Sequence, residues 1–216
     1  MLASAEQTAA LVQMFKSGTR LKYDKGEFII RPGETPTGVF YINSGLVKAF
    51  DITKYGEENL LIIRKEHEIF PLIWAVTGQE RKVIYQAMST TDVWRITRSA
   101  FLAYLKSSKY SHLPLLDMTM EMYRLHSERI INLEYRTVRE RLISFILNTA
   151  QRFGDQEKDG KIQINVALRQ QDIASSINAS RETTSRELSL LEKKGFIETN
   201  TQYLLIKNID KLKAYL

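Results

Sequence analysis

Residues 180–188 read SRETTSREL, a stretch whose side chains match the hydrogen-bonding edges of nucleic-acid bases. Arg181 and Arg186 each carry a planar fork of donors that fits the O6 and N7 acceptors of guanine. Glu182 can accept from the N4 amino group of cytosine, and the Ser185 hydroxyl can meet a donor or an acceptor. The spacing is helical: at about 100° per residue, with Arg181 at zero, Ser185, Ser189, Glu182 and Arg186 lie within an arc of roughly 140°. Thr184, Leu188 and Leu191 fall on the other side, the one that would pack. Two readings of the polar face stay open at this point. An i,i+4 ion pair between Glu182 and Arg186 would make it an ordinary solvated face; otherwise it is a surface for base edges.

The flanking residues decide what kind of element carries this face. Ser180 is a good N-cap, and Gly195 stands just past the end of the following leucine-rich run SLLEKKGF. Upstream, RQQDIASSI places Ile173, Ala174 and Ile177 on one helical face, and Asn178 can take the left-handed conformation that closes a helix. KIQINVAL alternates Ile162, Ile164, Val166 and Leu168 as a half-buried strand does, and FIETNTQYLLI reads as two short strands about a polar turn. Strand, helix, turn, helix and hairpin make a winged helix-turn-helix, in which base contacts come from the start of the second helix. Arg169, Gln170, Ser180 and Thr183, near the two helix N-termini, are candidate phosphate contacts.

The rest of the chain has a different texture. Between residues 19 and 98, short alternating stretches such as EFIIR, GVFYIN, LVKAF, LLIIR, VIYQAM and DVWRIT are separated by Pro32-Gly33, Gly38, Ser44-Gly45 and Tyr55-Gly56. This pattern predicts an antiparallel roll or barrel. From Leu113 to about Arg152 there is no glycine and Pro114 is the sole proline, at a first turn where a helix tolerates it. Leu116, Met120, Tyr123, Ser127 and Ile130 alternate steps of four and three, the spacing of a seam between two paired helices. Packing of that stripe on the chain's own roll is the alternative. RFGDQEKDGK, with Gly154 and Gly160, reads as a solvated loop. The expected fold is α+β, in three parts. These are an N-terminal antiparallel β-roll (1–111), a dimerisation helix with a hinge near Tyr135 to Val138 (112–138), and a winged helix-turn-helix (139–216).

Composition removes several classes of function. The 216 residues are 44% apolar and 26% charged, values of a globular chain, and no apolar run is long enough for a membrane span. No signal peptide is recognisable at the start, so the cytoplasm is the expected location and no membrane partner is expected. With no cysteine, an iron-sulfur cluster and disulfides are excluded. P-loop, dinucleotide-binding and H-E-x-x-H motifs are absent, and an enzyme is not expected. The net charge of +6 suits a polyanion, yet the surplus divides evenly between the parts before and after residue 139. Charge alone therefore places no binding surface.

QQDIASSINASRETTSRELSLLEKKGFI resembles the DNA-binding element of the Crp/Fnr superfamily, whose recognition helix carries R-E-T-x-x-R. KGEFIIRPGETPTGVFYINSGLVKAF is similar to that family's sensory roll, and INLEYRTVRERLISFIL to the stretch that joins its dimer helix to the DNA-binding part. The resemblance covers nearly the whole chain in order. It implies a homodimeric bacterial transcription regulator that binds double-stranded DNA at a pseudo-palindrome and works with RNA polymerase. Members with R-E-x-x-x-R read TGTGA-like half-sites, and members with serine at the position of Ser185 read TTGAT-like ones. Half-sites containing TGA are expected, with the second base open.

Cyclic-AMP-binding members hold the nucleotide with a Gly-Glu pair and, after a short loop, an Arg-Ser pair. In HEIFPLIWAVTGQERKVIYQA, Arg81 matches the arginine, but Pro71 and Leu72 replace Gly-Glu and Lys82 replaces the serine. Leucine has no acceptor for the ribose hydroxyl. Cyclic AMP is therefore not the expected effector. Phe70, Leu72, Trp74, Arg81, Lys82, His126 and Ser127 are the candidate effector-pocket residues, although an apolar run such as 70–74 also suits a packed core. Haem would need an axial ligand from His67, His112 or His126, and no metal site is expected. A constitutive or architectural DNA-binding dimer whose roll binds no ligand is the competing reading.

Overall fold

The computed structural model describes residues 2–107 and 112–216. The roll boundary expected at residue 111 lies outside the described residues. The chain divides into two compact units, Met1–Tyr123 and Arg124–Leu216, so the division falls within the long helix.

The first unit opens with α1 (Ala5–Lys16), started by a capping box between Ser4 and Gln7 and burying Leu11 and Phe15. Eight strands follow: β1 (Thr19–Tyr23), β2 (Phe28–Ile30), β3 (Val39–Ser44), β4 (Val47–Ile52), β5 (Glu58–Arg64), β6 (Ile69–Phe70), β7 (Ile84–Ala87) and β8 (Thr91–Ile96). They pair antiparallel in two four-stranded sheets, β1-β8-β3-β6 and β2-β7-β4-β5, as the alternating stretches predict. Two short helices, α2 (Leu72–Thr77) and α3 (Arg98–Ser107), complete the unit before the long helix. Gly45 links β3 to β4 at φ 96°, and a Cβ there would stand 2.6 Å from the Thr90 carbonyl oxygen, so no other residue fits the turn.

Strand β3 explains why GVFYIN is apolar at every central position. Phe40 and Ile42 join one cluster with Ile30, Val47, Ala49, Phe70, Tyr85 and Val93. Val39 and Tyr41, on the other face, join a second cluster with Leu11, Phe15, Ile69, Ala75, Phe101 and Leu115. The strand is buried on both faces because helices cover the side turned away from the roll interior.

The long helix α4 (Leu113–Tyr135) starts with Pro114 buried in its first turn. Leu115, Met118 and Met122, at steps of three and four, form its inward face; Leu115 and Met118 pack in the second cluster. The Ile69 N–H points at Met118 Sδ at 3.4 Å, and Asp117 accepts from the backbone N–H groups of Leu2 and Ala3. The outer stripe is uncovered: Met120, Tyr123 and Ile130 keep 51%, 69% and 62% of their surface.

The helix stops at Tyr135 and α5 (Val138–Phe153) begins afresh, capped by Thr137 with Glu140 reaching back to the Thr137 N–H. The expected hinge near Tyr135 to Val138 coincides with this break. Then come β9 (Gly154–Gln156), β10 (Ile162–Ile164), α6 (Gln170–Ser176), α7 (Arg181–Lys193), β11 (Ile197–Thr199), β12 (Leu204–Ile206) and α8 (Ile209–Lys213). The sheet order is β11-β12-β10-β9. Two expectations need correction. The start of the expected loop at RFGDQEKDGK is the edge strand β9, in which Asp155 pairs with Gln163. The strand expected over 161–168 ends at Ile164; Val166 is still buried, but by core packing outside the ladder.

One polar contact ties β1, β3 and β8. Arg20 donates from Nε and Nη2 to Asp92 at 3.0 and 2.5 Å, and Asn43 Nδ2 donates at 3.2 Å. The Arg20 hydrogen bonds hold the Asp92 carboxyl below the usual carboxylate range. A carboxylate with a depressed folded pKa stabilises above its unfolded pKa of about 3.9, and that contribution fades as pH falls through the lower folded value. Asp92→Asn is expected to lose about 1–3 kcal/mol at pH 7, with the gap to the parent closing below about pH 4. Urea unfolding at pH 7 and pH 3 measures both.

Candidate nucleic-acid interface

Helices α6 and α7 take their places through local chemistry. Asn178 adopts φ 49°, the left-handed residue of the turn, and the Ala179 N–H returns to the Ala174 carbonyl at 3.0 Å. Ser180 Oγ accepts from the Thr183 N–H at 3.1 Å and caps α7. Thr184, Leu188 and Leu191 are buried on the α7 inner face, and the Thr184 hydroxyl donates to the Ser180 carbonyl at 2.9 Å, so its burial leaves no polar atom unpaired. The structure thus turns inward the three residues that the helical spacing assigned to packing.

The outer face gathers Arg181, Glu182, Arg186 and Ser189 as exposed side chains, with Ser185 half-buried between them. The Glu182–Arg186 ion pair is not formed among the described residues; Arg186 Nη2 donates to Thr183 Oγ1 at 3.2 Å. Glu182 is held below the ordinary carboxylate range, first by its own backbone N–H, then by the Ser180 hydroxyl, and further by the charges of Arg181 and Arg186. The one Ser180 proton also points at Thr183 Oγ1, so the two acceptors share it. At neutral pH Glu182 is an ionised acceptor between two cationic forks.

The four candidate phosphate contacts differ in freedom. Gln170 is exposed on the first turn of α6. Arg169 grips Asp172, with Nε at 3.0 Å and Nη2 at 2.8 Å from its carboxylate, which also accepts from the Arg169 N–H. Its guanidinium therefore holds the α6 N-terminus while remaining 58% exposed. Ser180 and Thr183 are engaged with each other in the cap.

Two supporting contacts were not legible beforehand. Arg139 on α5 donates from Nε to Glu187 on α7 at 2.7 Å, and this partner raises the guanidinium above its ordinary value. Lys194 Nζ donates to the Tyr215 hydroxyl, and that hydrogen bond, together with the charge, pulls the phenol down. Both fix α7 from behind.

Comparisons with known proteins agree with this geometry along the chain. The Crp-like helix-turn-helix domain matches residues 140–215, and the cyclic nucleotide-binding domain matches residues 20–108. The global nitrogen regulator of Synechocystis sp. is 28% identical over 193 residues, spanning 86% of this chain and 83% of its own. The CRP-like cAMP-activated global transcriptional regulator of Mycobacterium tuberculosis is 24% identical over 206 residues, spanning 95% and 92%. A CooA mutant from Carboxydothermus hydrogenoformans superposes with a TM-score of 0.78 at 24% identity, covering 94% of this chain and 89% of that one. The chain belongs to the Crp/Fnr family. It is a DNA-binding transcription regulator and not an enzyme.

The roll of this Crp/Fnr chain divides the expected effector residues. Phe70 is fully buried, stacked between Phe40 and Tyr85 with centroids 5.2 and 4.7 Å away. Leu72 and Trp74 pack against the other cluster, so the run 70–74 serves two cores instead of lining one space. The alternation of β6 and the turn into α2 separates them. Arg81, Lys82 and His126 are exposed and Ser127 is half-buried. His67 accepts or donates at Nδ1 with the Tyr41 hydroxyl at 2.7 Å, and His112 is exposed. Among the described residues no group of three or more metal-ligating side chains comes together, and no helix is long and apolar enough to cross a membrane. On the seam stripe, Leu116 is exposed and Ser127 half-buried beside Met120, Tyr123 and Ile130. Ile131 and Tyr135, 52% and 75% exposed, extend it. Their four-residue spacing from Ser127 was the available signal.

Ser180 allows a test that separates capping from DNA contact. Ser180→Ala is expected to lose about 1 kcal/mol of stability, whereas Ser180→Asp keeps the cap. The added carboxylate near phosphate should nevertheless weaken DNA binding on every sequence. Thermal unfolding and DNA titration of the two variants, side by side, check both statements.

Proposed function

We propose that this chain acts as a homodimer on pseudo-palindromic DNA with TGA-containing half-sites, under the control of an effector other than cyclic AMP. The observation that carries the base-reading half is the outer face of α7, where Arg181, Glu182 and Arg186 are exposed on a helix whose opposite side is buried. In this reading Arg181 and Arg186 meet guanines, Glu182 accepts from cytosine, and Ser185 adjusts the second base. Gln170, Thr183 and the exposed edge of Arg169 meet phosphates and set register. Two-fold symmetry places the two α7 helices in successive major grooves, about 34 Å apart.

The uncovered stripe Leu116, Met120, Tyr123, Ser127 and Ile130 supports the dimer. Apolar side chains at seam spacing, left in water on a lone chain, are buried when two α4 helices pair. The effector reading rests on side chains that lack the nucleotide's partners: Leu72 offers no acceptor and Lys82 no hydroxyl. The bound dimer works with RNA polymerase in the cytoplasm.

Selection of sites from random DNA tests the base assignments. Arg186→Ala should lose roughly 1–3 kcal/mol on the preferred site and relax selection for one guanine, whereas Arg169→Ala weakens good and poor sites alike. An unchanged preference in Arg186→Ala removes that assignment. For the seam, Ile130→Glu sets an unpartnered charge at each helix of the pair. It is expected to cost several kcal/mol of dimer stability, giving monomers in analytical ultracentrifugation and weak binding to palindromes.

A further inference from the structure

Helix α4 stops at Tyr135 and α5 restarts at Val138, so the covalent chain offers only a short stretch of backbone to hold the helix-turn-helix to α4. A body attached at one point pivots about it. Two arginines, one at the break and one before it, supply further attachments within the unit Arg124–Leu216. Arg136 donates from Nη1 to the buried Ser144 Oγ, which ties the break itself to α5. Arg129 donates from Nη2 to the Ser175 carbonyl of α6 at 3.4 Å. It stands six residues before Tyr135, about 9 Å back along the helix axis.

The Ser175 carbonyl is suited to such a contact. It lies in the last turn of α6, where the Ala179 N–H, its partner in a continuing helix, turns instead to the Ala174 carbonyl at 3.0 Å. The Asn178 N–H approaches it at 3.4 Å, long for a hydrogen bond. Asn178 then takes φ 49° and Ser180 caps α7, so Arg129 grips the backbone at the turn that launches the recognition helix. Arg129 is half-buried, and burial pulls its guanidinium below the ordinary value. A cation drawn out of water is held to its acceptors, because leaving them costs more than it would at the surface. The next residue, Ile130, keeps 62% of its surface on the outer stripe. Adjacent residues stand about 100° apart, so one turn of α4 turns Ile130 to the stripe and Arg129 to α6.

We propose that Arg129 is a positioning residue for DNA recognition: it fixes the angle between α4 and the α6–α7 pair, and so sets the separation of half-sites that the dimer accepts. This inference rests on the reading of the chain as a homodimer seamed along α4. Arg181 and Arg186 decide which bases are read, and Arg129 decides how far apart the two readings fall. One added base pair moves the second half-site by about 3.4 Å and turns it by about 35°. A helix-turn-helix braced at Ser175 cannot follow that displacement, whereas one held only at the break can.

The full chain is titrated with the DNA site it selects from random sequence, with the same site carrying one base pair more or fewer between its halves, and with an isolated half-site. The parent is expected to lose roughly tenfold or more on either altered spacing. Arg129→Met keeps the apolar stem without a donor. It should bind the selected site about tenfold more weakly, distinguish the three spacings by less than about threefold, and bind the isolated half-site as the parent does. Arg129→Lys keeps a cation and a donor for the Ser175 carbonyl and should restore the discrimination. Thermal unfolding shows that each variant is folded; should Arg129→Met not be, Arg129→Gln, two bonds shorter than arginine, carries the same expectations. Spacing discrimination retained without the donor, or an equal loss on the isolated half-site, overturns the proposal. Sedimentation separates it from the dimer reading: a monomeric parent overturns both, whereas a dimeric variant with the parent's spacing discrimination overturns the proposal alone.

Discussion

Burial of Thr184, Leu188 and Leu191 fixes what α7 can present to DNA. A helix with one apolar side has a single rotation that removes it from water, and once that rotation is set the angular position of every other residue follows. Arg181, Glu182 and Arg186 point outward because Leu188 and Leu191 point in. The hydroxyl of Thr184 strengthens the constraint, since its hydrogen bond to the Ser180 carbonyl is made within the helix's own first turn. The Arg139–Glu187 pair then holds the helix from α5 without drawing on any outward residue.

The same economy of faces governs α4. Leu115 and Met118 are committed to the cluster around Phe15 and Phe101. Roughly 100–140° around the helix, Met120, Tyr123 and Ile130 are left with most of their surface in water. Two apolar stripes on one helix cannot both be satisfied by one roll. Met122 sits with the inward set and Tyr123 with the outward set, so adjacent residues lie in opposite environments, one buried and one exposed.

How much of this was legible depends on whether the determining chemistry is local. The winged helix was readable because its signals are short-range: a serine cap, an asparagine with positive φ, and leucines at helical spacing. The roll's long strands were readable from alternation. Strand β1 was not, since TRLKY is largely exposed at an edge and its pairing with β8 is set by residues some seventy positions away. Strand β6 has two residues and exists only because Phe40 and Tyr41 offer it a ladder. Register shifts such as that between Ala49 and Phe50 leave no mark in the alternation. Among site residues, the outward face of α7 followed from spacing alone. The Arg139–Glu187 contact joins positions 48 apart, and Phe70 was expected beside Leu72 although a strand end and a turn send them to different clusters.

Charge shows why position outweighs total. The surplus of basic residues is the same before and after residue 139, yet what matters at the interface is which cations lack a carboxylate. Arg139 and Arg169 are tied to Glu187 and Asp172 by salt bridges, while Arg186 makes its hydrogen bond to the Thr183 hydroxyl. A further cation, Arg129 near the end of α4, donates to the Ser175 carbonyl in the last turn of α6, and burial pulls its guanidinium below the ordinary value. A cation at a helix C-terminus is favoured by the helix dipole. The final turns of α4 thus belong to the DNA-binding unit, although the same helix begins in the unit that holds the roll. The capped restart at Thr137 keeps α5 from being a rigid extension of it.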